Sequence, residues 1–294
     1  MKETALKIIK ELKEYNELYV IGHNNIDSDS FFSSYLLSKI LQSFGINAKQ
    51  CILEDYQILE DDRGEIETFK KEDPIVLKRE EIKDKTFIFI LVDHNDPDQS
   101  LKTNANIVLS IDHHIVTNKV KNCYSIEYTS TGLFLYDLFK EIYSFSQEEK
   151  DIIALTVITD SCFLMTSRYK ESDKVLMNEL RPTINAEDLR KKYFKTTDFS
   201  QDMDYLIHNN HKVYHVDDFE INRVIMKGNR EDREKVQRII QRSNELYPNN
   251  LFIWNEYDSK HTMVYYKGSL LKEYDLIITS SMLITKDLIK EIKD

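Results

Sequence analysis

The sequence contains little proline, glycine and cysteine: its 294 residues include four prolines, six glycines and three cysteines. So few prolines and glycines exclude long low-complexity linkers and favour a compact, helix-rich fold. The three cysteines, Cys51, Cys123 and Cys162, are odd in number and lack the paired spacing of a zinc site. They predict free thiols in a reducing compartment, the cytoplasm.

Two further absences concern membranes and nucleic acids. No stretch approaches the roughly 18 consecutive apolar residues of a membrane-spanning helix, and residues 1–16 form a charged amphipathic pattern without the apolar segment of a signal peptide. The net charge is -11, from 40 basic and 51 acidic side chains. Because binding to a phosphate backbone requires a basic face, we expect no nucleic-acid duplex and no membrane among the partners.

Four short clusters of aspartate and histidine are the strongest signal in the chain. The first three each follow an apolar stretch typical of a strand that is buried on both faces, as in a parallel sheet. Ligands bind beyond the carboxyl ends of such strands, so we expect the clusters to meet at one sheet edge. The clusters are His23, Asp27 and Asp29; Asp93, His94 and Asn95; Asp112, His113 and His114; and Asp160 alone.

Carboxylates packed this closely repel one another unless cations neutralise them. Carboxylates and imidazoles without cysteine favour Mn²⁺, Co²⁺, Mg²⁺ or Fe²⁺ over a structural zinc, and we place Mn²⁺ first, followed by Co²⁺ or Mg²⁺. Because the set holds more ligands than one ion uses, it predicts two divalent ions about 3.5–4 Å apart. A water between two such ions loses a proton near neutral pH and attacks phosphorus. The pattern therefore indicates hydrolysis of a small phosphate-containing substrate.

Each cluster also has a purely structural interpretation. The first could be a polar loop that caps a helix starting near Phe31, since Asp, Asn and Ser are favoured caps. The second, from Asp93 to Pro97, could be a turn, and Asp160 alone could be an exposed helix terminus. The third cluster has no evident packing role. The joint pattern, in this chain order, is what favours a metal site.

The four clusters resemble, in this order, the motifs of the DHH phosphoesterase superfamily, which is named for the Asp-His-His run. Residues 92–95 are similar to the second motif of its manganese-dependent, family II inorganic pyrophosphatases, and the resemblance covers about residues 18–165. It implies a general acid, His114, that faces the substrate phosphate, and a carboxylate, Asp112, that orients the neighbouring imidazole. The implied metal ligands are His23 and Asp27 on one ion, Asp29 and His113 on the other, and Asp93 and Asp160 between or beside both.

The remainder of the chain resembles the second domain of those pyrophosphatases less closely. They carry a Ser-Arg-Lys-Lys-Gln segment whose cations hold the distal phosphate, and residues 277–286 occupy its place here without the Arg-Lys pair. Holding a small, highly charged pyrophosphate normally needs fixed cations, so the missing pair leaves the substrate open. We predict substrate contacts from His94, Asn95, Lys195 and Lys286. Other candidate cations, most of them expected on the solvated surface, are Arg168, Lys170, Lys191, Lys192, Arg223 and Lys227.

The alternation of predicted strands and helices in the first half indicates an α/β fold, a mostly parallel sheet with helices on both faces. After about Asn185 the pattern changes to a smaller mixed α/β domain, and Pro182 interrupts the helical periodicity just before that point. We therefore predict a metal-binding catalytic domain at residues 1–181 and a substrate-binding domain at residues 182–294.

Together these features predict a metal-dependent hydrolase of phosphoanhydrides, most like a manganese-dependent inorganic pyrophosphatase. Alternatives with the same metals are an exopolyphosphatase, a nucleotidase or a phosphodiesterase. The oligonucleotide-cleaving branch of the superfamily carries a Gly-Gly-Gly-His segment that this chain lacks. A catalytically idle sensor of metal or phosphate ligands is the alternative from another class. We expect a soluble, cytoplasmic protein and leave open a homodimer formed through an edge strand of the first domain.

Overall fold

The structure is a computed structural model, and it describes residues 1–84, 87–101, 105–117, 119–166, 168–194, 196–216, 219–256, 261–267 and 274–279. The chain divides into two compact units, the first comprising Met1–Leu164 and Arg168–Tyr193, the second Met165–Ser167 and Phe194–Asp294. The division thus falls after Tyr193, whereas the sequence placed it at Arg181. The reason is that Leu189 and Tyr193 are buried in the apolar core of the first unit.

The first unit alternates strands and helices. Its strands are β1 Leu18–Ile21, β2 Asn25–Ile26, β3 Ala48–Leu53, β4 Gln57–Ile58, β5 Ile75–Leu77, β6 Ile88–Val92, β7 Asn106–Asp112 and β8 Cys123–Ser125. Its α-helices are α1 Lys2–Leu12, α2 Ser28–Ser43, α3 Arg63–Phe69, α4 Thr131–Phe139, α5 Gln147–Asp160, α6 Glu171–Leu180 and α7 Ala186–Tyr193. One-turn 3-10 helices span Glu81–Asp84 and Pro97–Gln99.

Six of these strands form one sheet in the order β5-β3-β1-β6-β7-β8, and every neighbouring pair is parallel. Because side chains alternate along a strand, Leu18 and Val20 face one side of the sheet while Tyr19 and Ile21 face the other. The first pair packs in a core with the α-helices. The second pair packs with loop residues and with Ile82 of a 3-10 helix, and no α-helix of the described chain joins that cluster. The predicted α/β class with a parallel sheet is confirmed, with its α-helices gathered on one face.

The second unit holds a mixed sheet. Its strands are β9 His211–Val216, β10 Phe219–Gly228, β11 Asn250–Glu256, β12 His261–Lys267 and β13 Tyr274–Thr279, and its α-helices are α8 Met203–Asn209 and α9 Arg233–Leu246. The sheet order is β13-β12-β11-β10-β9, in which β10 and β11 are parallel and the other pairs antiparallel. Phe252 and Trp254 of β11 pack against α8 and α9, so both helices lie on one side, as predicted. Within the described ranges, neither unit contains a helix long and apolar enough to span a membrane.

Candidate metal centre

The first three clusters lie at the carboxyl ends of three adjacent strands of the parallel sheet. His23 comes two residues after β1, Asp93 follows β6 directly, and Asp112 ends β7. Parallel neighbours end at the same edge, so side chains that are 70 and 19 residues apart in sequence become neighbours in space. The structure therefore brings these clusters together at one sheet edge.

Asp93 occupies the centre of this group. Its Oδ2 lies 3.2 Å from Nε2 of His23, and its Oδ1 lies 3.3 Å from Nε2 of His113. The Asp93 backbone has φ of 63°, a left-handed conformation that aspartate adopts more readily than most residues, and its N–H donates to the carbonyl of Ile111 at 3.0 Å. The side chain is 2% exposed. One buried carboxylate thus faces two different imidazoles, the arrangement expected of a ligand shared by two ions.

The other carboxylates complete two donor sets. In each set one atom from every residue lies within 4.8 Å of the others. The two sets are His23, Asp27 and Asp93, and Asp29, His113 and Asp160. The pair His23 and Asp27 and the pair Asp29 and His113, which the resemblance implies on different ions, lie in different sets. A third, overlapping set is Asp93, Asp112, His113 and His114.

Helix α2 supplies two of these carboxylates because it begins at the sheet edge. Asp27 is its N-cap, and Asp27 Oδ1 accepts from the N–H of Ser30 at 2.8 Å while Oδ2 lies 3.3 Å from Nε2 of His23. The helix begins at Ser28, earlier than the sequence suggested, and Asp27 serves both as cap and as potential ligand. The first turn of α2 packs against Gly22, and a side chain at that position would not fit, because a Cβ at Gly22 would lie 2.0 Å from Oγ of Ser30.

Asp29 is fixed by the N-terminus of a second helix. The N–H of Thr131 donates to its Oδ2 at 2.7 Å, and the N–H of Gly132 donates to its Oδ1 at 3.0 Å. Ser33 Oγ also donates to Oδ1 at 2.8 Å. These first amides of α4 thus hold a protein carboxylate, which the partial positive charge of the helix terminus favours.

The two adjacent histidines have different partners. Nδ1 of His113 lies 2.9 Å from the carbonyl of Tyr128 and donates its N–H to it, so Nε2 is the nitrogen that can bind a metal ion once its own proton is displaced. Nδ1 of His114 lies 2.8 Å from Oδ1 of Asp112. The His114 side chain is 29% exposed and that of His113 only 3%, so His114 is the one open to a ligand. Asp112 therefore orients His114, whereas the resemblance implies that it orients the metal-binding imidazole; the carbonyl of Tyr128 has that role for His113.

His94 and Asn95 do not have the free polar atoms expected of substrate contacts. The two ring nitrogens of His94 lie 2.9 Å from the carbonyl of Val92 and 2.7 Å from Oγ of Ser100. Asn95 donates to Oδ2 of Asp112 at 2.6 Å, and its Oδ1 accepts from a backbone N–H at 2.7 Å. Both side chains are buried, which corrects the predicted substrate contacts to supporting positions behind the ligands.

Asp160 ends α5 and has a cationic neighbour. Its Oδ2 lies 3.8 Å from Nε2 of His113, and its two oxygens lie 3.2 and 3.1 Å from Nη1 of Arg168. Of the other candidate cations, Lys170 instead pairs with Glu127 at 2.9 Å. Lys195 and Lys286, which the sequence assigned to the substrate, lie outside the described residues.

The pKa shifts of the clustered carboxylates and imidazoles indicate that positive charge is favoured among them. Burial lowers the pKa of His113, but the hydrogen bond with Asp93 and the nearby Asp160 and Asp29 carboxylates outweigh it and raise the pKa to about 10. Burial and the charge of Asp93 raise the pKa of Asp29 well above its ordinary value. Burial opposes ionisation of Asp93 too, yet His113 and His23 hold its pKa well below the usual range. The metal-free site thus draws protons into the positions that divalent ions would occupy.

Thr131 is a residue of this site that the sequence did not single out as a contact to a ligand. Its Oγ1 donates to Oδ1 of Asp93 at 3.1 Å, and the residue is fully buried. Its place in the Ser-Thr-Gly start of α4 was visible in the sequence. The partner was not, because 38 residues separate the two side chains.

Comparison with known proteins agrees with this geometry. Residues 17–159 match the model of the DHH family, N-terminal domain. A protein of Staphylococcus aureus (strain JH9), named "Probable manganese-dependent inorganic pyrophosphatase", is 26% identical over 215 residues, which are 68% of this chain and 67% of that protein.

Two solved structures share the fold. A Methanococcus jannaschii protein assigned to the family II inorganic pyrophosphatases has a TM-score of 0.65 at 16% identity, covering 94% of this chain and 100% of that one. An exopolyphosphatase-related protein from Bacteroides fragilis has a TM-score of 0.56 at 13% identity, covering 99% of this chain and 95% of that one. Residues 17–159 are therefore a DHH-family N-terminal domain, and the chain is similar in sequence to a probable manganese-dependent inorganic pyrophosphatase and shares its fold with the two solved structures.

Proposed function

We propose that the protein is a metal-dependent hydrolase of phosphoanhydrides, most like an inorganic pyrophosphatase, and that it uses two divalent ions, with Mn²⁺ preferred. The observation that carries this proposal is the position of Asp93, whose two oxygens face His23 and His113 at 3.2 and 3.3 Å. A carboxylate in that position suits a pair of ions. The name of the Staphylococcus aureus relative supports manganese and pyrophosphate.

Each ion would have one imidazole and at least two carboxylates, a donor set that suits Mn²⁺ or Mg²⁺. The residues that would hold them are His23 and Asp27 for one, Asp29, His113 and Asp160 for the other, and Asp93 for both. When bound, the ions supply Lewis-acid activation of water and positive charge for the phosphate oxygens. The protein's part is to hold the donors in place, which the contacts of Thr131 and Gly132 with Asp93 and Asp29 do.

We assign proton transfer to His114. Its Nδ1 is hydrogen-bonded to Oδ1 of Asp112, which leaves Nε2 to carry a proton for the departing phosphate oxygen. Asp112 is itself held by the side chain of Asn95 and by the N–H of His113 at 2.7 Å. The ring of His114 therefore has a fixed orientation, as a general acid requires.

A second candidate function uses the same centre on another phosphate compound. The exopolyphosphatase-related Bacteroides fragilis protein shares the fold, and this chain lacks the Arg-Lys pair that holds pyrophosphate in family II enzymes. These two observations favour an exopolyphosphatase, and after it a nucleotidase or phosphodiesterase. The alternative from another class is a catalytically idle sensor of metal or phosphate ligands.

The test is product formation from a substrate panel, inorganic phosphate from the anhydrides and mononucleotides from the dinucleotides, by chelator-treated protein that is reloaded with Mn²⁺, Co²⁺ or Mg²⁺. The panel contains pyrophosphate, tripolyphosphate, long-chain polyphosphate, nucleotides and linear dinucleotides. We expect the fastest turnover on pyrophosphate with Mn²⁺. A preference for polyphosphate would establish the second candidate, and no turnover on any compound with any ion would leave only the sensor.

A variant pair tests the role of His114. His114→Gln should lower turnover by about 100-fold or more while the bound metal stays constant, because general acids contribute roughly that factor. His208→Gln, a change of the same kind at an exposed histidine of the second unit, is the control and should leave turnover unchanged. Full activity in His114→Gln with both ions bound would contradict the assignment.

A further inference from the structure

Arg168 is a cationic residue that contacts a candidate metal ligand, Asp160. Its Nη1 lies 3.2 and 3.1 Å from the two oxygens of Asp160, whose Oδ2 also lies 3.8 Å from Nε2 of His113. Among the described residues, no other lysine or arginine forms an ion pair with any of the six candidate metal ligands. Within the described ranges, this guanidinium donates to Asp160 through Nη1, and an arginine carries five N–H donors. No described residue accepts from Nε or Nη2, so both can donate to a ligand beside the centre.

The chain holds Arg168 in this place. Three consecutive residues that are not glycine, Cys162, Phe163 and Leu164, have φ of 48, 58 and 63°, a rare left-handed run that follows α5 and precedes Arg168. The carbonyl of Arg168 then accepts a hydrogen bond from Oγ1 of Thr129 at 3.0 Å.

Thr129 is in turn anchored to a buried carboxylate. Its N–H donates to Oδ2 of Asp173 at 2.9 Å, and its Oγ1 lies 2.5 Å from the same oxygen, so the single hydroxyl proton is shared between Asp173 and the carbonyl of Arg168. The next residues along the chain lead into α4, whose first amides bind Asp29. Arg168 and the metal ligands therefore share one hydrogen-bonded framework, so the guanidinium has a defined position relative to the centre.

The position of Arg168 matters because of the balance of charge at the candidate metal centre. The carboxylates of the ligand set are Asp27, Asp29, Asp93 and Asp160, and their four negative charges equal the charge of two divalent ions. Asp112 lies outside this balance, because its oxygens accept from His114, Asn95 and backbone N–H groups. A loaded centre is therefore close to neutral, and Arg168 adds the positive charge that an incoming phosphate needs.

We propose that Arg168 forms a phosphate-binding subsite beside the metal centre, in which its guanidinium contacts a terminal phosphoryl group of the substrate while Nη1 stays bonded to Asp160. This inference rests on the proposed function and names the residue that takes the place of the missing Arg-Lys pair. Guanidinium is suited to this role, because its planar N–H donors match two phosphate oxygens at once. Lys170, two residues further on, is paired with Glu127 and lies 40% exposed, so it does not share the subsite.

The experiment measures binding of imidodiphosphate, a diphosphate analogue that resists hydrolysis, to the Mn²⁺-loaded full-length protein by calorimetry. Arg168→Gln should raise the Kd of the analogue about 10- to 100-fold, since a charge-assisted pair of hydrogen bonds is lost. Arg168→Lys should recover part of the affinity, because it restores the charge without the planar fork. Lys170→Gln removes the same charge two residues away and should leave the Kd unchanged.

Manganese content, measured on the same samples, separates the subsite from a structural role. We expect Arg168→Gln to keep its full complement of Mn²⁺, since removal of a cation beside Asp160 does not weaken the ligand. Loss of Mn²⁺ from this variant would make Arg168 a support of the metal site and overturn the subsite. Analogue affinity within twofold of the unmodified protein would overturn it as well.

These experiments distinguish a failure of the proposed hydrolase function from a failure of the proposed subsite. An unmodified protein that binds imidodiphosphate but hydrolyses no phosphoanhydride would refute the hydrolase and leave the subsite in place. Hydrolysis combined with unaltered binding in Arg168→Gln would refute the subsite alone. Absence of any Mn²⁺-dependent analogue binding by the unmodified protein would overturn both.

Discussion

Buried carboxylates stand at strand ends in both units, and their surroundings differ. In the second unit, Glu256 ends β11 with no exposed surface, and Arg233 of α9 binds it through Nε and through Nη2, the latter at 2.8 Å. In the first unit, Asp93 follows β6 with 2% exposed surface, and the rings of His23, His113 and His114 lie beside it. One carboxylate has a permanent cation from its own chain, and the other has three titratable rings.

The difference between the two carboxylates indicates which of them could bind a metal ion. A buried charge is stable only when it is paired, because removal from water costs several kcal/mol per ion. Arg233 satisfies Glu256 within the protein. Around Asp93 the chain supplies further carboxylates, so the positive charge has to come from protons or from metal ions. The contrast therefore marks the surroundings of Asp93 as the group that could hold metal ions, and the pair of Glu256 and Arg233 as a contact within the protein.

The largest effect should come from Asp93→Asn. Loss of the shared carboxylate removes one ligand from each ion, so we expect Mn²⁺ affinity to fall by more than about 100-fold, the upper limit seen for loss of an outer partner. Hydrolysis should fall with it. Metal content after dialysis and calorimetric titration measure this. Asp73→Asn, at a side chain that is 84% exposed, is the matched control and should change nothing. Normal metal content in Asp93→Asn would contradict the role of Asp93 as a metal ligand and therefore the contrast between Asp93 and Glu256.

A change in pH is expected to have a smaller effect on the affinity for Mn²⁺. In the metal-free protein the pKa of His113 is raised from 6.5 to about 10, so near neutral pH its ring is protonated and an incoming ion has to displace that proton. Apparent Mn²⁺ affinity should therefore rise with pH between 6 and 8, by about tenfold per unit for each proton displaced. Calorimetry in buffers of different ionisation enthalpy counts the protons. An affinity that is flat over this range would contradict the protonated state of the free site.

The smallest effect on the metal centre is expected from Glu256→Gln. This change leaves Arg233 beside a neutral amide and should lower the free energy of unfolding by about 1–3 kcal/mol, the range for a buried hydrogen-bonded partner. Mn²⁺ affinity should be unchanged, because the pair lies outside the ligand set. Chemical denaturation and metal titration of one preparation measure both quantities. A loss of Mn²⁺ comparable to that of Asp93→Asn would erase the distinction between the two carboxylates.

Prediction from the sequence succeeded where local pattern decides the structure. The apolar runs before His23, Asp93 and Asp112 indicated parallel strands, and the structure has β1, β6 and β7 as neighbours. The capping box that starts α5 is local in the same way, since Ser146 and Glu149 lie three residues apart. In each case the relevant contacts lie within a few residues, or follow from the rule that parallel strands end at a common edge.

Prediction was less successful where partners are distant in sequence. His94 and Asn95 stood beside a predicted ligand, but their polar atoms are bonded inside the protein. The first amides of α4 bind Asp29, which is over 100 residues away. Such pairings depend on how α2, α4 and the sheet pack together, and side-chain type alone does not determine them.

The sequence by itself determined the chemistry of this protein's metal centre: which residues can be ligands, in which order they occur, and that no lysine or arginine lies within the clusters themselves. These follow from residue type and from the two-residue period of buried strands. Only the tertiary structure decided that Asp93 lies between His23 and His113 and that Arg168 pairs with Asp160. Those contacts depend on a left-handed backbone at Asp93 and on a left-handed run after α5, which arise from the packing of the whole unit.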